Sequence, residues 1–150
     1  CHPHIVRIYG LVESDSNSLL LLQECAFKGD LSELLQENKF RPSQAVLLKI
    51  FLQIVDAMIC LADNGIVHGD LACRNVLVYR MDNSEPRRNL VNLTDFGFTR
   101  ASTFYSVTSS TRSSTLTVIP VRYAASELLQ DTDRPIYSQK SDIYSMGALM

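Results

Sequence analysis

The chain has 150 residues, 46% of them hydrophobic and 20% charged, with 14 Lys+Arg against 16 Asp+Glu and a net charge of -2. That composition suits a folded domain with one modest core and excludes collagen-like, low-complexity and disordered chains. With no basic run beyond Arg87-Arg88, the charge gives no footprint for nucleic acid or an anionic membrane surface. The longest apolar runs, Leu19 to Leu22 and Ile50 to Leu61, are short or interrupted by Gln53 and Asp56. Against the roughly 18 to 20 apolar residues a bilayer requires, no membrane segment is expected. Four cysteines (Cys1, Cys25, Cys60, Cys73) form no C-x-x-C pair and have no His at metal-ligand spacing. Neither a zinc site nor a disulfide framework is suggested, and a reducing, intracellular setting fits best. The opening on Cys1 and the stop at Met150, inside an apolar helical pattern, read as a fragment.

In chain order, Ile5 to Val12 is β-rich and leads through the polar turn Glu13 to Asn17 into a second run, Ser18 to Gln23, which predicts a hairpin. Asp30 with Glu33 three residues on is a capping-box variant opening a short helix, Leu31 to Asn38. From Pro42-Ser43 onward Val46, Leu47, Ile50, Phe51, Ile54, Val55, Met58, Ile59 and Leu61 recur at helical spacing up to Asn64-Gly65, predicting a long helix closed by a glycine. Two short strands follow, Val76 to Tyr79 and Val91 to Thr94, joined by the polar loop Met81 to Asn89. The stretch Ala101 to Thr117 holds six Ser, five Thr and one Tyr in 17 residues and reads as a surface loop. Ser138 to Met150 opens a further helix.

Polar residues crowd into His68-Gly69-Asp70-Leu71-Ala72-Cys73-Arg74-Asn75, between the long helix and a strand. Asp, Arg and Asn within six residues can supply a base, a cation and a metal-ligating amide. Taken alone, an Asp-x-x-x-x-Asn loop is more often turn chemistry, both side chains capping backbone groups. Asp95-Phe96-Gly97 adds an Asp at a strand exit, an apolar anchor and a Gly. That trio suits a metal ligand and also suits a turn.

Together these stretches resemble the catalytic loop and Asp-Phe-Gly element of protein kinases. His2 to Gly10 resembles the entry to the kinase fourth strand, and Leu21 to Leu31 the fifth strand and hinge. Ile119 to Glu127 resembles the end of the activation segment, and Lys140 to Gly147 the start of helix F. The resemblance implies an α+β, two-lobed kinase-like fold in truncated form. Residues 1–23 would be the end of the small lobe, 24–30 the hinge and 31–150 part of the mainly helical large lobe. Leu71-Ala72-Cys73-Arg74-Asn75 resembles the tyrosine-kinase L-A-A-R-N form, and Pro120-Val121-Arg122-Tyr123 supports it.

The resemblance implies transfer of the ATP γ-phosphate to a protein tyrosine, on the cytoplasmic side, with ATP and Mg²⁺ as cofactors. Asp70 would orient the acceptor hydroxyl and accept its proton, and Arg74 would help place it. Asn75 and Asp95 would ligate Mg²⁺. The main chain of Glu24 and Ala26 would hold adenine over Leu77, with Gln23 as gatekeeper. His68 and Asp142 would be structural, the His beneath the loop and the Asp accepting loop N–H groups. Two departures stand out: Gly69 replaces the usual His-Arg-Asp arginine, and Ser126 the proline of Ala-Pro-Glu. With the unusual Gln23 they suggest one alternative, a pseudokinase scaffold without turnover; the other alternative is a serine/threonine kinase, which Arg74 and Pro120 oppose. The Gly-rich loop, strand Lys and helix C Glu of the family have no counterpart in these residues.

Overall fold

In the computed structural model, which describes residues 2–14, 18–36, 41–95, 100–101, 122–129 and 137–150, the elements run β1 (Ile8–Glu13), β2 (Leu19–Gln23), α1 (Leu31–Gln36), α2 (Gln44–Asp63), β3 (Ile66–Val67), β4 (Val76–Arg80), β5 (Leu90–Leu93), β6 (Arg100–Ala101) and α3 (Gln139–Leu149). The chain builds two units, one from Cys1–Cys60 and Cys73–Thr94, the other from Leu61–Ala72 and Asp95–Met150.

In the first unit β1 and β2 pair antiparallel, Glu13 opposite Leu19 and Leu11 opposite Leu21. Both strands are largely exposed, and each of Leu19 to Leu22 is more than half accessible among the described residues. Asp30 caps α1 as expected, its Oδ1 accepting the Glu33 N–H at 3.0 Å. The expected last residues of that helix, 37 and 38, lie outside the described residues. The chain before α1 is stitched to β4: the Gly29 carbonyl accepts the Val78 N–H at 2.9 Å, and Asp30 bridges Leu77. Gly29 does this at φ +72, a conformation that a Cβ would strain.

α2 begins where Ser43 Oγ accepts the Val46 N–H and ends at Gly65, φ +66, as the glycine predicted. Its buried stripe is Val46, Ile50, Gln53, Ile54, Ala57 and Leu61, whereas Leu47, Leu48, Leu52 and Ile59 are exposed. Ile59 and Leu47 therefore do not share the core face that their spacing suggested. Gln53 does not break the apolar face but belongs to it. Its Nε2 donates to the Asn89 carbonyl at 2.9 Å and its Oε1 accepts the Val91 N–H at 3.0 Å, so the buried amide is paired on both sides. The expectation that no segment has spanning dimensions also needs correcting. At 20 residues and mean hydropathy 2.2, α2 is long and apolar enough, because Gln53 and Asp56 are too few to offset their neighbours. Length and composition do not separate such a helix from a core helix.

β4 and β5 form the second hairpin, with Leu77 opposite Asn92 and Val76 opposite Leu93. The joining loop closes on Asn89, whose Oδ1 accepts the Asp82 N–H at 2.7 Å and whose Nδ2 donates to the carbonyls of Asp82 and Pro86. Val76, Val78, Val91 and Leu93 are at most 1% exposed and form the core face of the hairpin.

In the second unit β3 pairs with β6, Ile66 opposite Ala101. Two-residue strands leave no period in a sequence, so this pairing was not anticipated. α3 starts at a capping box in which Ser138 and Ser141 satisfy one another's backbone N–H groups. Ala124, Ala125 and Leu128 form a small core against which Tyr137 packs. Of the expected Ser/Thr-rich loop, residues 102–117 lie outside the described residues.

Candidate active site

β3 delivers the chain into His68-Gly69-Asp70, and α3 holds it there. Asp142, one turn into α3 and 3% exposed, accepts the His68 N–H on Oδ2 at 2.8 Å and the Gly69 N–H on Oδ1 at 2.9 Å. Burial pushes the Asp142 carboxyl above its ordinary value, and the Gly69 and His68 N–H groups and the His68 ring pull it partway back. His68 is fully buried and its Nδ1 accepts the Asp70 N–H at 3.2 Å. Asp70, at 6% exposed, therefore sits on a loop whose three successive N–H groups all have named acceptors. Gly69 takes φ +80, which an L side chain rarely adopts. Ser145, one turn further along α3, donates to the Tyr123 carbonyl at 2.7 Å and so anchors the segment before Ala124.

Asp95 belongs to the same unit and is exposed. Among the described residues it is the non-glycine with positive φ, +59. Such a backbone costs about 1–3 kcal/mol and clusters at functional sites. Phe96 and Gly97, which follow it, lie outside the described residues.

The first unit carries the other candidates. Cys73–Asn75 is a single turn of 3-10 helix, with Arg74 exposed and Asn75 4% exposed. The Asn75 carbonyl accepts the Thr94 N–H at 2.9 Å, which ties this turn to the end of β5. Leu77 is half-buried on β4 and bridges Asp30, at the exit of the stretch Glu24 to Gly29. Ala26 is half-buried and Gln23 exposed.

Glu24 is fixed at both ends. Its N–H donates to the Arg7 carbonyl at 3.0 Å, and its Oε1 accepts the Arg7 N–H and the Asn92 Nδ2, each at 2.9 Å. Burial tends to raise its pKa. The Arg7 N–H, the Asn92 amide, the adjacent Tyr79 hydroxyl and the Arg7 charge outweigh this and hold the carboxyl below the ordinary 4.5. Tyr79 is shifted upward, first by burial and then by this negative neighbour. Asn92 was not singled out in the sequence; the signal available was a polar residue inside the apolar strand Val91 to Leu93.

Within the first unit the structure thus joins Glu24 and Leu77 to one hairpin, while Asp70 and Asp95 lie in the second. Asn75 and Asp95 offer an amide oxygen and a carboxylate, the hard oxygen donors that suit Mg²⁺.

Residues 1–150 match the family model for protein tyrosine and serine/threonine kinases. The chain belongs to that family, and its fold is the α+β fold of a kinase domain. It is 31% identical to ephrin type-A receptor 1 of Mus musculus over 150 residues, covering 99% of this chain and 14% of that protein. It is 32% identical to tyrosine-protein kinase TXK of Homo sapiens over 149 residues, 99% of this chain and 25% of that one. Serine/threonine-protein kinase kin-29 of Caenorhabditis elegans is 34% identical over 149 residues, 99% and 16%. The chain spans a quarter or less of these relatives.

Proposed function

We propose that the full-length protein transfers the γ-phosphate of ATP to a protein tyrosine, on the cytoplasmic side of a membrane or in the cytoplasm. The observation that supports it most is Asp70 on a loop docked to Asp142 through the His68 and Gly69 N–H groups. Such docking holds a base in place before substrate arrives. In this reading Asp70 orients the acceptor hydroxyl and takes its proton. Arg74, exposed on the following turn, helps place the substrate. Asn75 and Asp95 hold Mg²⁺, which when bound neutralises charge on the transferring phosphoryl group. The main chain of Glu24 and Ala26 binds adenine, Leu77 lies beneath the ring, and Gln23 borders it. Residues 1–23, 24–30 and 31–150 then correspond to the end of the small lobe, the hinge and part of the large lobe.

Arg74 and Pro120 favour tyrosine; the likeness to a serine/threonine kinase keeps that acceptor as the comparison arm. Gly69 supports a second reading, a scaffold without turnover, since the cation that pairs with a phosphorylated activation loop is lost. The test is Mg-ATP turnover of the full-length protein on matched Tyr and Ser/Thr peptides. Phosphate on Tyr alone is expected, with Asp70→Asn slower by about 10² to 10⁴ and nucleotide binding kept. Nucleotide binding without turnover on any peptide would establish the scaffold instead.

A further inference from the structure

The Glu24 carboxylate and Asn92 carboxamide make a contact that phosphoryl transfer does not itself require. They are 68 residues apart in sequence, and the bond between them joins the stretch after β2 to the middle of β5. Asn92 is only 6% exposed, at a strand position where Val, Ile or Leu would bury more apolar surface at no polar cost. Its Oδ1 is buried and has no hydrogen-bond partner among the described residues, so half of the amide is unsatisfied there. Its other half makes the one bond that reaches Glu24.

We propose that Asn92 is a positioning residue for the nucleotide: its amide clamps the Glu24 side chain to β5 and thereby fixes the main chain of residues 24–26 where adenine is held. The proposal rests on the kinase reading above. Glu24 is held at its own N–H and at its carboxylate, by Arg7 at the entry to β1 and by Asn92. The clamp also lies next to Leu77, the cross-strand partner of Asn92. One residue on β5 therefore sets both the edge and the floor of the adenine site. A hydrogen bond to a carboxylate is about twice as strong as a neutral one, and this carboxylate is held ionised.

A cleft of about 260 Å³, whose lining includes Arg7, Glu24 and Asn92, lies beside the pair, so substitutions of similar size at position 92 remove the bond without a clash. The experiment is titration of the full-length protein with a non-hydrolysable ATP analogue and Mg²⁺, together with KM for ATP, kcat and urea unfolding. Asn92→Asp sets two acceptors against one another, and Asn92→Ser adds no charge and shortens the side chain so that its hydroxyl falls short of Glu24. The double variant Glu24→Gln/Asn92→Asp restores a carboxylate–carboxamide pair with the roles exchanged.

Each single variant should weaken analogue binding about tenfold or more and raise KM for ATP by the same factor, with kcat little changed. The double variant should return to within about threefold of wild type. Should Asn92→Asp not fold, Asn92→Ser carries the comparison. Folded single variants with wild-type affinity, or a double variant as weak as Asn92→Asp, would overturn the clamp alone. A wild-type protein that binds no nucleotide would overturn the kinase reading and the clamp with it.

Discussion

Replacing Asp142 by Ala removes the acceptor of two backbone N–H groups, at 2.8 and 2.9 Å, in a site where the carboxylate is 3% exposed. An orphaned buried donor costs about 1–3 kcal/mol, so the pair costs about 2–6 kcal/mol. Two effects work the other way. The raised pKa of Asp142 means that its charge is held at a desolvation cost that Ala does not bear. Ala also gains about 0.5 kcal/mol of helix propensity over Asp. The net loss should therefore be about 2–3 kcal/mol, read as a lowered urea midpoint of the intact protein with an unchanged slope. Amide exchange at His68 and Gly69 should accelerate, while the α2 amides slow or accelerate only with global stability. Asp142→Asn keeps one acceptor but turns an NH₂ toward an N–H, and should fall between Ala and wild type. An Asp142→Ala protein within about 0.5 kcal/mol of wild type, with unaltered exchange at both amides, would refute this account of how the loop is held.

Ile54→Ala should cost about 2–5 kcal/mol by denaturant unfolding, because Ile54 is 1% exposed on the buried stripe of α2; the exposed Ile59→Ala is the control and should cost far less. Gly69→Ala should lose about 1–2 kcal/mol from the φ of +80, read as a lowered Tm without loss of α2 helicity. The Glu24 carboxyl lies below its ordinary 4.5, so the folded state binds its proton less readily than the unfolded chain. Its contribution is present above that value and is lost as pH falls through the folded one. Glu24→Gln should therefore flatten the acid limb of a Tm-against-pH curve, and an acid limb identical to wild type would remove Glu24 from the balance.

Much of this was legible because period and capping are local. Val46, Ile50, Ile54 and Leu61 recur at helical spacing, Asp30 and Glu33 sit three apart, and Gly65 marks a helix end, so the start of α1 and both ends of α2 were legible within a residue or two. The kinase identity was legible for a different reason, the order of several short motifs along the chain. What was illegible depends on contacts distant in sequence. The pairing of β3 with β6 spans two residues on each side. The burial of Gln53 depends on Asn89 and Val91 lying opposite it, and the role of Asn92 depends on a carboxylate 68 positions away. Polar residues inside apolar runs are the visible trace of both, and along the chain Gln53 looks like an interruption of an apolar run.

The departure at Gly69 can be weighed with the same reasoning. The contacts that hold this loop belong to the fold, so an enzyme and a scaffold need them alike. Here the Gly69 N–H still docks to Asp142, His68 is still fully buried, and the Asp70 N–H still meets His68 Nδ1. The φ of +80 is one that glycine adopts freely and arginine only at a cost of about 1–2 kcal/mol. Glycine at this position therefore removes a cation while relaxing the backbone that presents Asp70. On the enzyme reading proposed above, a loop that loses a charge but keeps its docked shape alters how activity is controlled. That argument predicts Asp70-dependent turnover with no requirement for a phosphorylated activation segment: phosphatase treatment should leave the rate of the full-length protein unchanged, and a rate that collapses on treatment would defeat it.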